Sequence, residues 1–117
     1  MHNNISVNKT FEFSIRIVNL YKYLIENKKE YILTKQIVRC GTSIGANVAE
    51  AQRAQSKADF ISKMSIALKE AYETEYWIRL LYKTDYLSQE EFDSLNKDIL
   101  EIISILMSIC KTANNNQ

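Results

Sequence analysis

Residues 56–83 read SKADFISKMSIALKEAYETEYWIRLLYK, and this stretch decides the fold. Ser56-Lys57-Ala58-Asp59 fits a capping box: the Ser56 hydroxyl accepts from a first-turn amide, and the Asp59 carboxylate is favoured at the positive end of the helix dipole. Phe60, Met64, Ala67, Ala71, Ile78 and Leu81 then recur at helical spacings. Ile61, Leu68, Tyr72 and Tyr76 form a flanking seam, so the apolar surface is wider than a surface helix needs and implies two packing partners. The predicted helix covers 57–83.

Downstream of the short turn KTDYL, Ser88-Gln89-Glu90-Glu91 is a second capping box and opens a predicted helix over 89–112. Phe92, Leu95, Ile99, Ile102 or Ile103, Leu106 and Ile109 form its stripe. Leu100, Ile105 and Met107 lie off that stripe, so the second half is apolar nearly all round. A lone four-helix monomer surrounds no helix in that way, and a second copy of the chain is the expected cover for these three residues.

Upstream, a helix over 33–54 is predicted from Ile37, Ile44, Val48 and Ala51, with Cys40 beside them. Gly41, Gly45 and Ala49 form a second stripe at i, i+4 and i+8. Each helical glycine costs about 1 kcal/mol relative to alanine, and close approach of a neighbouring helix is the compensation expected. The competing pattern is a break at GTSIG that leaves two short helices. A first helix over 8–27 carries Phe11, Ile15, Val18, Leu20 or Tyr21, and Leu24 or Ile25 as its apolar stripe, and NKKE at 27–30 is a polar connection. The polar ends, 1–6 and 113–117, are expected to fray. Four long helices with short links predict an all-α, antiparallel up-down-up-down four-helix bundle, a single domain over 1–117.

Composition agrees. The 117 residues include two glycines and no proline, too little turn material for sheet folds and none for a glycine-rich phosphate loop. The single histidine, His2, lies in the polar leader, so mechanisms that need an ordered imidazole lack their residue. Cys40 and Cys110 form no CxxC and read as free thiols in a reducing compartment. No signal pattern opens the chain, and the greasy run Ile99–Cys110 is shorter than the roughly 20 residues of a membrane span. A cytoplasmic protein with no membrane association is expected.

The acidic residues Glu70, Glu73, Glu75, Glu90, Glu91, Asp93 and Asp98 suggest a carboxylate metal site only if histidines accompany them, and none does. No cofactor and no metal is expected. Asn47, Glu50 and Arg53, at successive i, i+3 steps beside the apolar stripe, form a candidate polar anchor that fixes helix register or a subunit interface. The net charge of +1 hides an asymmetry. Residues 1–69 hold eleven basic against five acidic side chains, and residues 70–117 hold four against nine. Lys22, Lys28, Lys29, Lys35, Arg39, Arg53, Lys57 and Lys63 are candidate phosphate contacts for RNA or DNA. A near-neutral chain is, however, less basic than a dedicated nucleic-acid binder.

The stretch SIGANVAEAQRAQSKADFISKMSIALKEAYETE, Ser43 to Glu75, resembles a bacterial family of four-helix bundles first noticed as products of intervening sequences in 23S ribosomal RNA genes. Ser43, Ile44, Asn47, Val48, Ala49 and Glu50 match the first part of the family pattern. Arg53, Ser56, Asp59 and Phe60 match the middle, and Ser65, Ile66, Ala67 with Glu73 or Glu75 match the last. Two departures stand out: Ala51 replaces the family's glycine, and Ala54-Gln55 separates Arg53 from Ser56. The resemblance implies an antiparallel bundle that associates into a ring-like homopentamer. A related bundle, the accessory variability determinant of diversity-generating retroelements, binds nucleic acid and a reverse transcriptase as a pentamer, but is more basic. The expectation is therefore a non-enzymatic homo-oligomer, its partners being further copies of itself, RNA or DNA at the basic first half, and a protein. The alternative is a protein-interaction scaffold with no nucleic-acid affinity.

Overall fold

The computed structural model describes residues 4–115, the side chain of Asn4 excepted; His2 lies outside them. Four helices follow one another: α1 (Asn4–Glu26), α2 (Leu33–Ala51), α3 (Lys57–Lys83) and α4 (Gln89–Asn115). No strand occurs among the described residues. The bundle measures 47 × 20 × 20 Å. Cross-helix partners show the direction of each pair. Gly41 lies against Ile17 while Gly45 lies against Thr10, Arg39 pairs with Glu73 while Glu50 pairs with Lys63, and Tyr82 meets Gln89 while Tyr72 meets Met107. In each pair one number rises as the other falls, so neighbours run antiparallel.

Both N-cap serines bond as expected, and the reciprocal bond of a capping box closes at Ser88 but at Ser56 shifts one residue upstream. Ser56 Oγ accepts from the Asp59 amide at 3.0 Å, and Asp59 returns a carboxylate oxygen to the Gln55 amide. Ser88 Oγ accepts from the Glu91 amide at 3.1 Å, and Glu91 accepts from the Ser88 amide at 2.7 Å. The core joins Phe13, Ile17 and Leu24 of α1, Ile37, Ile44 and Val48 of α2, Met64, Ile78 and Leu81 of α3, and Ile99, Ile102 and Leu106 of α4. Ala67 and Ala71, also fully buried, let α3 lie close to its neighbours.

Several expectations about the helices change. The inward stripe of α1 is Phe13, Ile17, Leu20 and Leu24, whereas Phe11, Ile15 and Val18 face outward. Both sets have helical spacing, and only tertiary packing decides which one enters the core. α1 starts before residue 8 because Ser6 and Thr10 are buried, with the Thr10 hydroxyl donating to the Ser6 carbonyl at 2.7 Å. α4 extends past residue 112, and Ala113 is buried. α2 runs unbroken through GTSIG and stops at Ala51 instead of 54, in a tightened turn where the Gln52, Arg53 and Ala54 amides reach back three residues.

Without glycine, the two corners at one end of the bundle turn on Lys29 (φ 55°) and Asp85 (φ 70°). These left-handed residues let the Glu30 amide return to the Leu24 carbonyl and the Tyr86 amide to the Leu81 carbonyl.

Candidate interaction surfaces

α1 and α2 approach closely at two glycines of α2. A Cβ on Gly41 would stand 2.9 Å from both γ-carbons of Ile17. One on Gly45 would stand 3.0 Å from Ser14 Oγ and 3.1 Å from the Thr10 carbonyl oxygen. Both glycines have ordinary helical backbone, so the need is for space and not for conformational freedom. Ala49 is exposed, and the close approach ends before it.

The structure separates Asn47, Glu50 and Arg53. The half-buried Asn47 amide donates to the carbonyl and hydroxyl of Ser43, one turn back. Glu50 is exposed and pairs at 3.2 Å with Lys63 of α3, not with Arg53. Arg53 lies beyond the end of α2, where helical i, i+3 geometry no longer applies, and is exposed. A different polar cluster bridges α2 and α3. Arg39 reaches both Glu70 (3.7 Å) and Glu73, and the Trp77 indole donates to Glu73 at 3.0 Å. That indole N–H is the main influence holding Glu73 below the usual carboxylate range, with Arg39 acting in the same direction. Across the α1–α4 seam, Arg16 binds Asp98 at 2.7 Å and Ser94 at 3.0 Å, and Lys9 binds Glu101 at 3.1 Å. Sequence spacing carries no signal for these pairs, whose members lie 78 or more residues apart.

The eight candidate phosphate contacts do not form one face. Lys22, Lys28, Lys29 and Lys35 gather around the α1–α2 corner, while Arg53, Lys57 and Lys63 lie at the opposite end, about 25 Å away at 1.5 Å per helical residue. Arg39 and Lys63 are engaged by carboxylates. The α1–α2 corner is held by a residue that the sequence presents only as part of a polar link. Glu30 is buried, and its carboxylate accepts from the amides of Ile32 (3.2 Å), Leu33 (3.1 Å) and Thr34 (2.7 Å). It caps α2, whose own N-cap, Ile32, has no side chain able to do so.

Two apolar faces are left uncovered. On α1, Phe11 (63% exposed), Ile15 and Val18 are exposed, and Ala46 and Ala49 of α2 are exposed too. On the α3–α4 side, Tyr72, Tyr76, Leu100 and Met107 are exposed, with the Tyr72 hydroxyl 3.3 Å from Met107 Sδ. Ile105 does not join them. It is half-buried and lies seven residues from Asp98 on the flank of α4 that faces α1.

Nothing in the described residues assembles a catalytic set. Cys40 is buried, and desolvation pushes its thiol up to about 11 even though Thr74 donates to the sulfur at 3.2 Å. Burial also raises Cys110. Thiols of this kind are poor nucleophiles at neutral pH. No three His, Cys, Asp or Glu side chains among the described residues gather to hold a metal, and no helix among them is long and apolar enough to cross a membrane. The grooves are open and surface-bound. One of about 280 Å³ lies between α1 and α4, lined by Arg16, Leu20, Tyr23, Leu87 and Leu95.

Fold and surfaces together define a small four-helix bundle whose distinguishing features are exposed apolar and charged faces. The model of the 23S rRNA-intervening sequence protein family matches residues 2–108, and the chain belongs to that family. Among solved structures, the chain is similar to a protein with unknown function from the S23 ribosomal protein family of Bacteroides thetaiotaomicron VPI-5482. The two are 56% identical, with a TM-score of 0.91, over 92% of this chain and 96% of the other. No curated protein matches.

Proposed function

We propose that the chain is a non-enzymatic assembly module of the cytoplasm, whose copies associate through their apolar faces and present basic corners to nucleic acid. The observation that carries this reading is the pair of uncovered apolar faces, Phe11, Ile15 and Val18 on one hairpin and Tyr72, Tyr76, Leu100 and Met107 on the other. A small monomer rarely leaves so many large apolar side chains in water without a partner. Two different faces on one chain suit head-to-tail association, which gives a ring where the rotation between copies closes. A homopentamer is the ring that the family resemblance implies.

Sedimentation velocity on the wild-type chain and on Phe11→Asp/Val18→Asp tests the self-association. A large species that falls to the monomer in the variant supports it, and a wild-type monomer rejects it. The engagement of Arg39 and Lys63 by glutamates favours a second reading, a protein scaffold without nucleic-acid affinity. An anisotropy titration with RNA and DNA at low salt separates the two, since phosphate contacts weaken log-linearly with salt.

A further inference from the structure

Exposed aromatic, aliphatic and cationic side chains converge at the α1–α2 corner. Tyr31 is 50% exposed and Ile32 76% exposed. Both lie in the six-residue link between α1 and α2, flanked by the exposed Lys22, Lys28, Lys29 and Lys35. The link is not slack. Lys29 sits in left-handed backbone, the Glu30 amide returns to Leu24, and the Glu30 carboxylate accepts from the amides of Ile32, Leu33 and Thr34. The Lys29 ammonium donates to the Glu26 carbonyl at 3.0 Å, and the Lys28 ammonium lies 5.9 Å from the centre of the Tyr23 ring. A half-exposed phenol ring is therefore held on a rigid corner that carries four exposed lysines against one exposed carboxylate, Glu26.

We propose that this corner is a platform for single-stranded nucleic acid, in which Tyr31 stacks on an unpaired base while Lys22, Lys28, Lys29 and Lys35 meet the phosphates on either side. Stacking needs a free base face, so a single strand fits where a closed duplex offers only phosphates. Rigidity lowers the ordering cost of binding. A lipid surface is a poorer fit, because membrane-binding helices present a long apolar face, and here the exposed apolar groups are two adjacent loop residues. The proposal rests on the nucleic-acid part of the proposed function and gives it a location.

The test is fluorescence anisotropy of labelled 12-nucleotide oligouridine and oligothymidine strands, and of a duplex of equal length, with the full chain. Binding to either strand or to both supports the platform, and the comparison assigns RNA or DNA. Tyr31→Ala is expected to weaken strand binding by roughly 5- to 150-fold, matching the ~1–3 kcal/mol of one base–aromatic stack. Tyr31→Phe should stay within about twofold of wild type. Four phosphate contacts predict a log–log salt slope of about −3 for a single strand, falling to about −1.4 in Lys28→Gln/Lys29→Gln. The double variant Lys97→Gln/Lys111→Gln, with equal charge loss on α4, should keep the wild-type slope.

Strand binding that Tyr31→Ala leaves intact, or equal affinity for the duplex, overturns the platform and leaves the broader nucleic-acid reading standing. No binding to any nucleic acid at low salt overturns both. Binding to phosphatidylserine vesicles that depends on Tyr31 and Ile32, without strand binding, overturns the choice of ligand.

Discussion

Gly41→Ala should be unfavourable even though alanine is the better helix former, and the sign depends on one neighbour. In an open helix the substitution would stabilise by about 1 kcal/mol. Here the new methyl would stand 2.9 Å from Ile17 Cγ1 and Cγ2 and 3.3 Å from Cδ1, against an optimum of about 3.5–4.0 Å between carbons. Ile17 is fully buried and its γ-carbons are fixed near the backbone, so it has little room to swing aside. Forcing one methyl into such a site costs about 1–3 kcal/mol, which leaves a net loss of up to about 2 kcal/mol. Ile17→Ala alone should cost about 2–5 kcal/mol through the cavity it opens. In that background Gly41→Ala meets no clash, recovers its helix propensity and fills part of the void, so it should stabilise by about 1–2 kcal/mol. The cycle therefore predicts a coupling of about 1–4 kcal/mol between two sites in direct contact. Urea denaturation of the four proteins at one fixed concentration measures it, the fixed concentration being needed because self-association adds to apparent stability. If Gly41→Ala stabilises the wild type as much as it stabilises Ile17→Ala, the close approach of α1 and α2 at this point is refuted.

Three further outcomes follow from particular contacts. Glu30→Ala removes the acceptor of three amides at a buried corner and should cost about 1–3 kcal/mol in urea melts; no change would mean the α2 N-terminus is satisfied in another way. Because the folded-state pKa of Glu73 lies below its unfolded value, its stabilisation is present above the ordinary carboxylate pKa and is lost as pH falls through the lowered one. Urea midpoints between pH 6 and 3 should fall less steeply in Glu73→Gln or Trp77→Phe than in wild type, and identical slopes would remove the Trp77–Glu73 bond from the account. Cys40, with its thiol pushed up to about 11 by burial, should react with a disulfide reagent at pH 7 far more slowly folded than in denaturant; equal rates would show that it is not enclosed.

The elements were legible in the sequence because their signals are local. Two capping-box patterns marked the starts of α3 and α4; both serine caps appear as hydrogen bonds, and the reciprocal bond closes on the N-cap amide only at Ser88. The glycine pair at i, i+4 pointed to close packing, and the spacing from Ile17 and Thr10 is correspondingly short. The orientation of α1 was not legible, since two stripes of equal periodicity compete and burial is settled by α2 and α4. The polar contacts were not legible either. Glu50 finds Lys63, Arg39 finds Glu70 and Glu73, and Arg16 finds Asp98, all across helices. Glu30 resembled any charged link residue, and only its burial beside three amides reveals its role. The stripe misassigned to the core, Phe11, Ile15 and Val18, is now one of the two uncovered faces on which the assembly proposal stands.

That proposal meets its most direct test in the mass of the wild-type chain in solution, measured by light scattering coupled to size exclusion. The chain mass is 13.6 kDa, and the proposed ring predicts a single species of five times that value, stable to dilution. A species of another multiple would keep self-association and discard the pentamer. A monodisperse species at 13.6 kDa would contradict the account, leaving two apolar faces in water with no partner copy to cover them.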